Sequence, residues 1–139
     1  MKNVFLDTNV LMDILANRQP FYKSSSAIYK LGLSKKVLFY TSSNTISTLH
    51  YLLKKFIQED KIRMALDEIT NAITIIPVDI TIIKKSLKSS HKDFEDAIQI
   101  TAAQSINTMD CIITRDLKDF KFSEINVFTP DEFLNTITK

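Results

Sequence analysis

The chain has 139 residues, 45% of them apolar and 24% charged, with a formal net charge of +2, a size and composition that fit one globular domain and exclude a disordered tail. Its one glycine, Gly32, excludes Walker-type and dinucleotide-binding loops, which need several glycines for close backbone approach to phosphate. Two distant histidines, His50 and His91, with a single cysteine exclude the usual zinc sites, and no Gly-x-Ser-x-Gly elbow is present for a serine hydrolase.

In chain order, Asn3 to Leu6 is a short apolar run ending in Asp7, after which Val10, Leu11, Ile14 and Leu15 recur at helical spacing up to Ala16. The run predicts strand, then helix. Pro20 is expected to open a second helix at its first turn, with Ala27, Ile28, Leu31 and Leu33 on its apolar side. Val37 to Tyr40 reads as the second strand. Ser42 or Ser43 caps a helix whose Ile46, Leu49, Leu52, Leu53 and Phe56 follow the three-four spacing of a buried face. A helix from about Asp60 carries Ile62, Ala65, Leu66 and Ile69. The β-branched run Ile73 to Val78, with Pro77 near its end, predicts a third strand, followed by a helix through Ile82, Ile83 and Leu87. Phe94 to Ile106 is helical, Cys111 to Thr114 is a fourth strand, and Asn126 to Thr129 a fifth, before a last helix opened by Pro130.

Strands alternating with helices imply an α/β fold with a parallel sheet covered on both faces. Residues 1–139 read as a single domain, since no Pro- or Ser-rich linker divides them. The residues before Asp7 are too few for a signal-type apolar region, and no later run approaches a membrane span. Cys111, inside the run Asp110-Cys111-Ile112-Ile113, reads as a buried strand thiol, so a reducing, cytoplasmic setting is expected. Lysines come in pairs, Lys35-Lys36, Lys54-Lys55 and Lys84-Lys85; solvation of helix ends explains them better than phosphate binding does.

What remains is carboxylate chemistry. In open parallel sheets ligands bind outside the carboxyl ends of the strands. Asp7 ends the first strand, Asp116 follows the fourth, and Asp93 to Asp96 opens a helix expected to begin on the same edge. Acids gathered without cations would repel one another, and hard divalent ions such as magnesium and manganese prefer oxygen ligands. Each acid also has a structural explanation: Asp7 as a helix N-cap, Asp93 and Asp96 as the ends of a capping box, Glu95 as a partner of the helix dipole, Asp119 as part of a surface turn. Asn9 can orient Asp7, contact substrate or serve a turn, and Arg115 can meet phosphate or pair with a nearby acid.

Three segments carry a resemblance: Val4-Phe5-Leu6-Asp7-Thr8-Asn9, Asp93-Phe94-Glu95-Asp96-Ala97, and Ile113-Thr114-Arg115-Asp116 followed by Asp119-Phe120. In order and spacing they resemble the PIN-domain nucleases, which include toxins of bacterial toxin–antitoxin pairs. The resemblance covers nearly the whole chain. It implies a three-layer α/β/α fold, Mg2+ or Mn2+, hydrolysis of RNA, a small antitoxin partner and pairing into a homodimer. It marks Asp7, Asp96 and Asp116 as metal-binding catalytic acids, with Asp93 and Asp119 as further metal candidates and Thr114 as a hydroxyl at the edge of the site; with Asn9 and Arg115, Thr114 completes the candidate substrate contacts. One departure stands out: Thr48 occupies the place, in Thr45-Ile46-Ser47-Thr48-Leu49-His50, where the family usually has a glutamate. A hydroxyl offers a metal no charge, so the alternative is a weakened domain that binds RNA or a protein without cutting. An aspartyl phosphatase centred on Asp7 fits less well, because Asn9 stands where such enzymes want a second acid.

Overall fold

The alternation of apolar runs becomes a five-stranded, all-parallel sheet in strand order β3-β2-β1-β4-β5. The computed structural model describes residues 1–137. Its elements are β1 (Lys2–Leu6), α1 (Thr8–Leu15), α2 (Tyr22–Leu33), β2 (Val37–Ser42), α3 (Ser43–Leu53), α4 (Glu59–Ala72), β3 (Thr74–Ile76), α5 (Ile80–Lys88), α6 (Phe94–Gln104), β4 (Cys111–Ile113), a single 3-10 turn (Leu117–Phe120), β5 (Asn126–Phe128) and α7 (Pro130–Ile137).

Successive side chains on a strand point to opposite faces, so a strand buried on both sides must be apolar throughout. β1 and β4 obey this. Val4 and Leu6 join Cys111 and Ile113 beneath α1, α2, α3, α4 and α7, while Phe5 and Ile112 face Ile98, Ile100 and Phe120 on the other side. The result is the expected three-layer sandwich. Gly32 has a packing role, since a Cβ there would meet the Phe39 ring at 3.0 Å where α2 crosses β2. Among the described residues no helix is long and apolar enough to cross a membrane.

Local departures from the sequence pattern have physical causes. α2 begins at Tyr22, not at Pro20, because residues 16–21 reverse the chain: Asn17 has a positive φ of 50°, and the Arg18 N–H returns to the Asp13 carbonyl at 3.0 Å. α3 stops at Leu53, and the N–H groups of both Phe56 and Ile57 then close on the Leu53 carbonyl at 2.9 Å. That turn packs Ile57 against the core and leaves Phe56 67% exposed, where the helical spacing predicts burial. Leu33 and Leu87 are likewise exposed. β3 is trimmed to Thr74–Ile76, since Pro77 has no N–H for the ladder and Asp79 already caps α5.

Strand order fixes where a site belongs. From β1 the chain moves outward to β2 and β3 on one side, then to β4 and β5 on the other, so connections diverge at the carboxyl ends of β1 and β4. A crevice opens at such a switch point. Asp7 leaves β1 there, with its N–H on the Ile113 carbonyl at 3.0 Å, and Thr114 to Asp116 leave β4 beside it.

Candidate metal-binding active site

Asp7 is built into the floor of this crevice. Its backbone is extended at the N-cap of α1, and its Oδ1 accepts the Thr8 N–H at 2.8 Å. Capping therefore uses one oxygen. Oδ2 accepts the Thr114 hydroxyl at 2.7 Å, and Gln99 Nε2 approaches Oδ1 at 3.4 Å. Burial pushes the Asp7 carboxyl above its ordinary range, against the lowering effect of the Thr114, Thr8 and Gln99 hydrogen bonds and the Arg115 charge.

Gln99 and Thr45 knit the crevice together and were not singled out by the sequence reading. Gln99 Nε2 donates to Thr45 Oγ1 at 2.7 Å and to Thr8 Oγ1 at 3.2 Å, while its Oε1 accepts from Ser42 Oγ. Thr45 also accepts from the Thr41 hydroxyl at 2.9 Å. These side chains tie α1, β2, α3 and α6 to one another beneath the acids. A signal for Gln99 did exist: it lies three residues after Asp96 on α6, hence on the same helix face.

The remaining acids converge above Asp7. Oxygen atoms of Asp96, Asp116 and Asp119 lie within 4.8 Å of one another, contributed by α6, the end of β4 and the 3-10 turn. Asp96 is half-buried, and burial together with repulsion from Asp7, Asp93, Asp119 and Asp116 pushes its carboxyl up to about 8. Asp116 is raised as well, first by a carboxyl–carboxyl hydrogen bond with Asp119, then by burial and repulsion. Asp93 serves as the α6 N-cap, its Oδ1 accepting the Asp96 N–H at 3.0 Å, and it adds charge to the cluster without joining the close group. Hard oxygen donors that repel one another and remain open to solvent are the donor set a divalent cation such as Mg2+ or Mn2+ favours.

The three residues expected to contact substrate all make structural contacts beside the acids. Thr114 has no exposed surface; it donates to Asp7 and accepts the Asp116 N–H at 3.1 Å, linking two acids. Asn9 braces the same segment, donating to Thr114 Oγ1 and accepting the Arg115 N–H, both at 3.3 Å, while its side of α1 still lines the crevice. Arg115 takes the acid and not a free position: Nη2 donates to Asp13 Oδ1 at 3.2 Å, and Nε stands 2.6 Å from Asp13 Oδ2 as an ion pair. Its guanidinium lies 3.8 Å from the centre of the Phe21 ring.

Asp13 is fully buried and also holds Arg18, whose Nε donates to Oδ1 at 2.9 Å. A lone acid among Leu11, Met12, Ile14 and Leu15 is the sequence signal for this pair of cations. Arg18 borders a hollow of about 410 Å³ in front of Asp7 and Asp96. Thr48 lines the same hollow from α3, with Asn44 and Ser47, so the position expected to carry an acid does face the site. Buried Cys111 takes no part; burial pushes its thiol up to about 12.

A five-stranded parallel sheet that gathers carboxylates at its switch point defines an α/β domain suited to hard-cation chemistry. The family model for the PIN domain matches residues 3–118, and the chain belongs to that family. It is 31% identical over 137 residues, 95% of this chain and 93% of the relative, to ribonuclease VapC1 of Aquifex aeolicus (strain VF5). Among solved structures, a chain of a toxin–antitoxin complex from Klebsiella pneumoniae superposes with a TM-score of 0.64 at 28% identity, over 91% of this chain and 97% of that one. VapBC-1 from nontypeable Haemophilus influenzae shares the fold, with a TM-score of 0.69 at 16% identity over 93% of this chain and 98% of that one.

Proposed function

We propose that this chain is a divalent-metal-dependent endoribonuclease of the toxin type, acting as one domain over residues 1–139 and held in check by a small antitoxin protein. The observation that carries the reading is the convergence of Asp7, Asp96, Asp116 and Asp119 at the sheet's switch point, from three separate parts of the chain. Likeness to a ribonuclease and to a chain from a toxin–antitoxin complex supports RNA as substrate and the antitoxin as partner.

In this reading Asp7, Asp96 and Asp116 hold Mg2+ or Mn2+, with Asp119 and Asp93 adding negative charge. When bound, such an ion supplies Lewis-acid stabilisation of a phosphodiester and lowers the pKa of an attacking water. The protein's own groups set the stage. Thr114 and Gln99 fix the orientation of Asp7; Asn9 holds the Thr114–Arg115 segment against α1; and Asp96 gives up a proton as a cation is loaded. Exposed Tyr51, Phe56 and Met64 on and around α3 and α4 support pairing of two copies, and a free, buried Cys111 suits a reducing cytoplasm.

Induced expression in a bacterial host tests the reading. Growth arrest with fragmented RNA is expected for the native chain and absent for Asp7→Asn; arrest of equal strength by both overturns it. Thr48 favours a second reading, a domain that binds RNA or protein without cutting. Melting with and without millimolar Mn2+ separates the two, because binding to the folded state alone raises the transition. A rise supports the nuclease, and no rise supports the weakened domain.

A further inference from the structure

A cluster of acids is a poor place to capture a polyanion. Asp7, Asp96, Asp116 and Asp119 repel phosphates until a cation neutralises them, and among the described residues Arg18 is the one basic side chain that lines the hollow in front of Asp7 and Asp96. Positive charge is concentrated on another flank. A hollow of about 280 Å³ is lined by His91, Lys92, Lys118, Asp119, Lys121 and Phe122. Asp119 therefore belongs both to the carboxylate group and to a hollow carrying three lysines, so the two surfaces are continuous. In a chain whose net charge is only +2, that is a local excess of cations.

The aromatic residue in this hollow is unusual in its placement. Phe120 fills the core with 1% of its surface exposed, whereas Phe122, two residues on, is 52% exposed and contributes little to the fold. Its ring leans on His91 at 6.2 Å and 51°, with the Lys121 ammonium 5.0 Å from its centre. His91 Nδ1 is shielded from solvent and has no hydrogen-bond partner among the described residues. Basic side chains interleaved with an accessible ring are what single strands require: cations for the backbone and a flat apolar face for a base.

We propose that this hollow is a nucleotide subsite for single-stranded RNA beside the acid cluster. Lys92, Lys118 and Lys121 meet backbone phosphates, and one base stacks on Phe122 in place of the Lys121 ammonium, with the tilted His91 ring bracing Phe122. The strand then crosses Asp119 to reach the remaining acids. The choice of RNA rests on the ribonuclease reading above; the subsite itself rests on charge, ring exposure and continuity.

The test is fluorescence anisotropy of a labelled mixed-sequence single-stranded RNA, with chelator present to prevent cutting, over a series of salt concentrations. Lys118→Ala/Lys121→Ala is expected to weaken binding about tenfold and to reduce the slope of log K against log salt by about 1.4, at about 0.7 per lost phosphate contact. Phe122→Ala is expected to weaken binding about 5- to 150-fold at unchanged slope, and Phe122→Tyr to restore it. Lys92→Ala gives an independent reading if the double variant melts early. Variants that bind as the native chain does, with the same slope, overturn the subsite, as does a native chain that does not bind. Cleavage with Mn2+ is followed in parallel. Unchanged binding in variants of a chain that cuts leaves the nuclease reading standing and removes the subsite. Lysine- and Phe122-dependent binding by a chain that cuts nothing does the reverse.

Discussion

Replacing Asp96 by Asn should make the metal-free protein more stable near neutral pH. In the folded chain burial and four neighbouring carboxyls raise this group from 3.8 to about 8. Between those values the native state keeps a proton that the unfolded chain has released. Stability contributed by that proton is complete below about pH 4 and is lost as pH rises through the window toward 8, with a limiting slope of about 1.4 kcal/mol per pH unit. The carboxyl is half-buried, so solvent screening reduces the gain for Asp96→Asn at pH 7.5 to about 1–2 kcal/mol. Relief of repulsion on Asp7 and Asp116 acts in the same direction. Urea unfolding with chelator at several pH values measures it. The expected difference is close to zero at pH 4.5 and grows toward pH 8, whereas saturating Mn2+ reverses the ranking because only the native site holds the ion. A variant less stable than the native chain at pH 7.5, or a difference that does not change with pH, refutes the reasoning.

Three further outcomes follow from the same geometry. Asp13→Ala strands Arg18 and Arg115 around a buried hole, and calorimetric melting should show a loss of about 3–5 kcal/mol; a change below about 1 kcal/mol contradicts the pairing. Thr114→Val keeps the shape but removes the donor on Asp7 Oδ2, at a cost of about 1–3 kcal/mol for the buried group left unmatched where Asp7 is charged. It should also move the pH midpoint of Mn2+ binding upward, since Asp7 then holds its proton more tightly, and Thr114→Ser should restore both properties. Thr48→Glu adds a carboxylate to the crevice wall and should tighten Mn2+ binding by about tenfold in a thermal-shift titration, with no change if Thr48 faces away from the ion.

Much of this architecture is written in period and order. Runs such as Val4-Phe5-Leu6 and Cys111-Ile112-Ile113 are apolar without alternation, which only a strand covered on both faces requires, and their spacing with helical segments dictates a parallel sheet. Switch-point geometry then brings the neighbourhoods of Asp7 and Asp116 together, a relation that follows from chain order once β1 is central. Legibility ends where side chains choose among partners. Arg115 was open between phosphate and acid, and only the fold shows that Asp13, 102 residues away in sequence, takes it. The sequence places the Thr114 hydroxyl at the edge of the site, and only the fold shows that it is fully buried and donates to Asp7. Gln99 and Thr45 look like ordinary helix residues until α6 and α3 close over the end of β1. Phe56 departs from the periodicity for a local reason, since a tight turn on the Leu53 carbonyl ends α3 before the apolar spacing does.

The most direct measurement is cleavage of a mixed-sequence single-stranded RNA by the purified chain with Mn2+, Mg2+ or chelator, beside an Asp7→Asn/Asp96→Asn preparation purified identically. The carboxylate site predicts cutting that needs the metal and disappears in the double variant. Equal cutting by both preparations, or none by either, would contradict it.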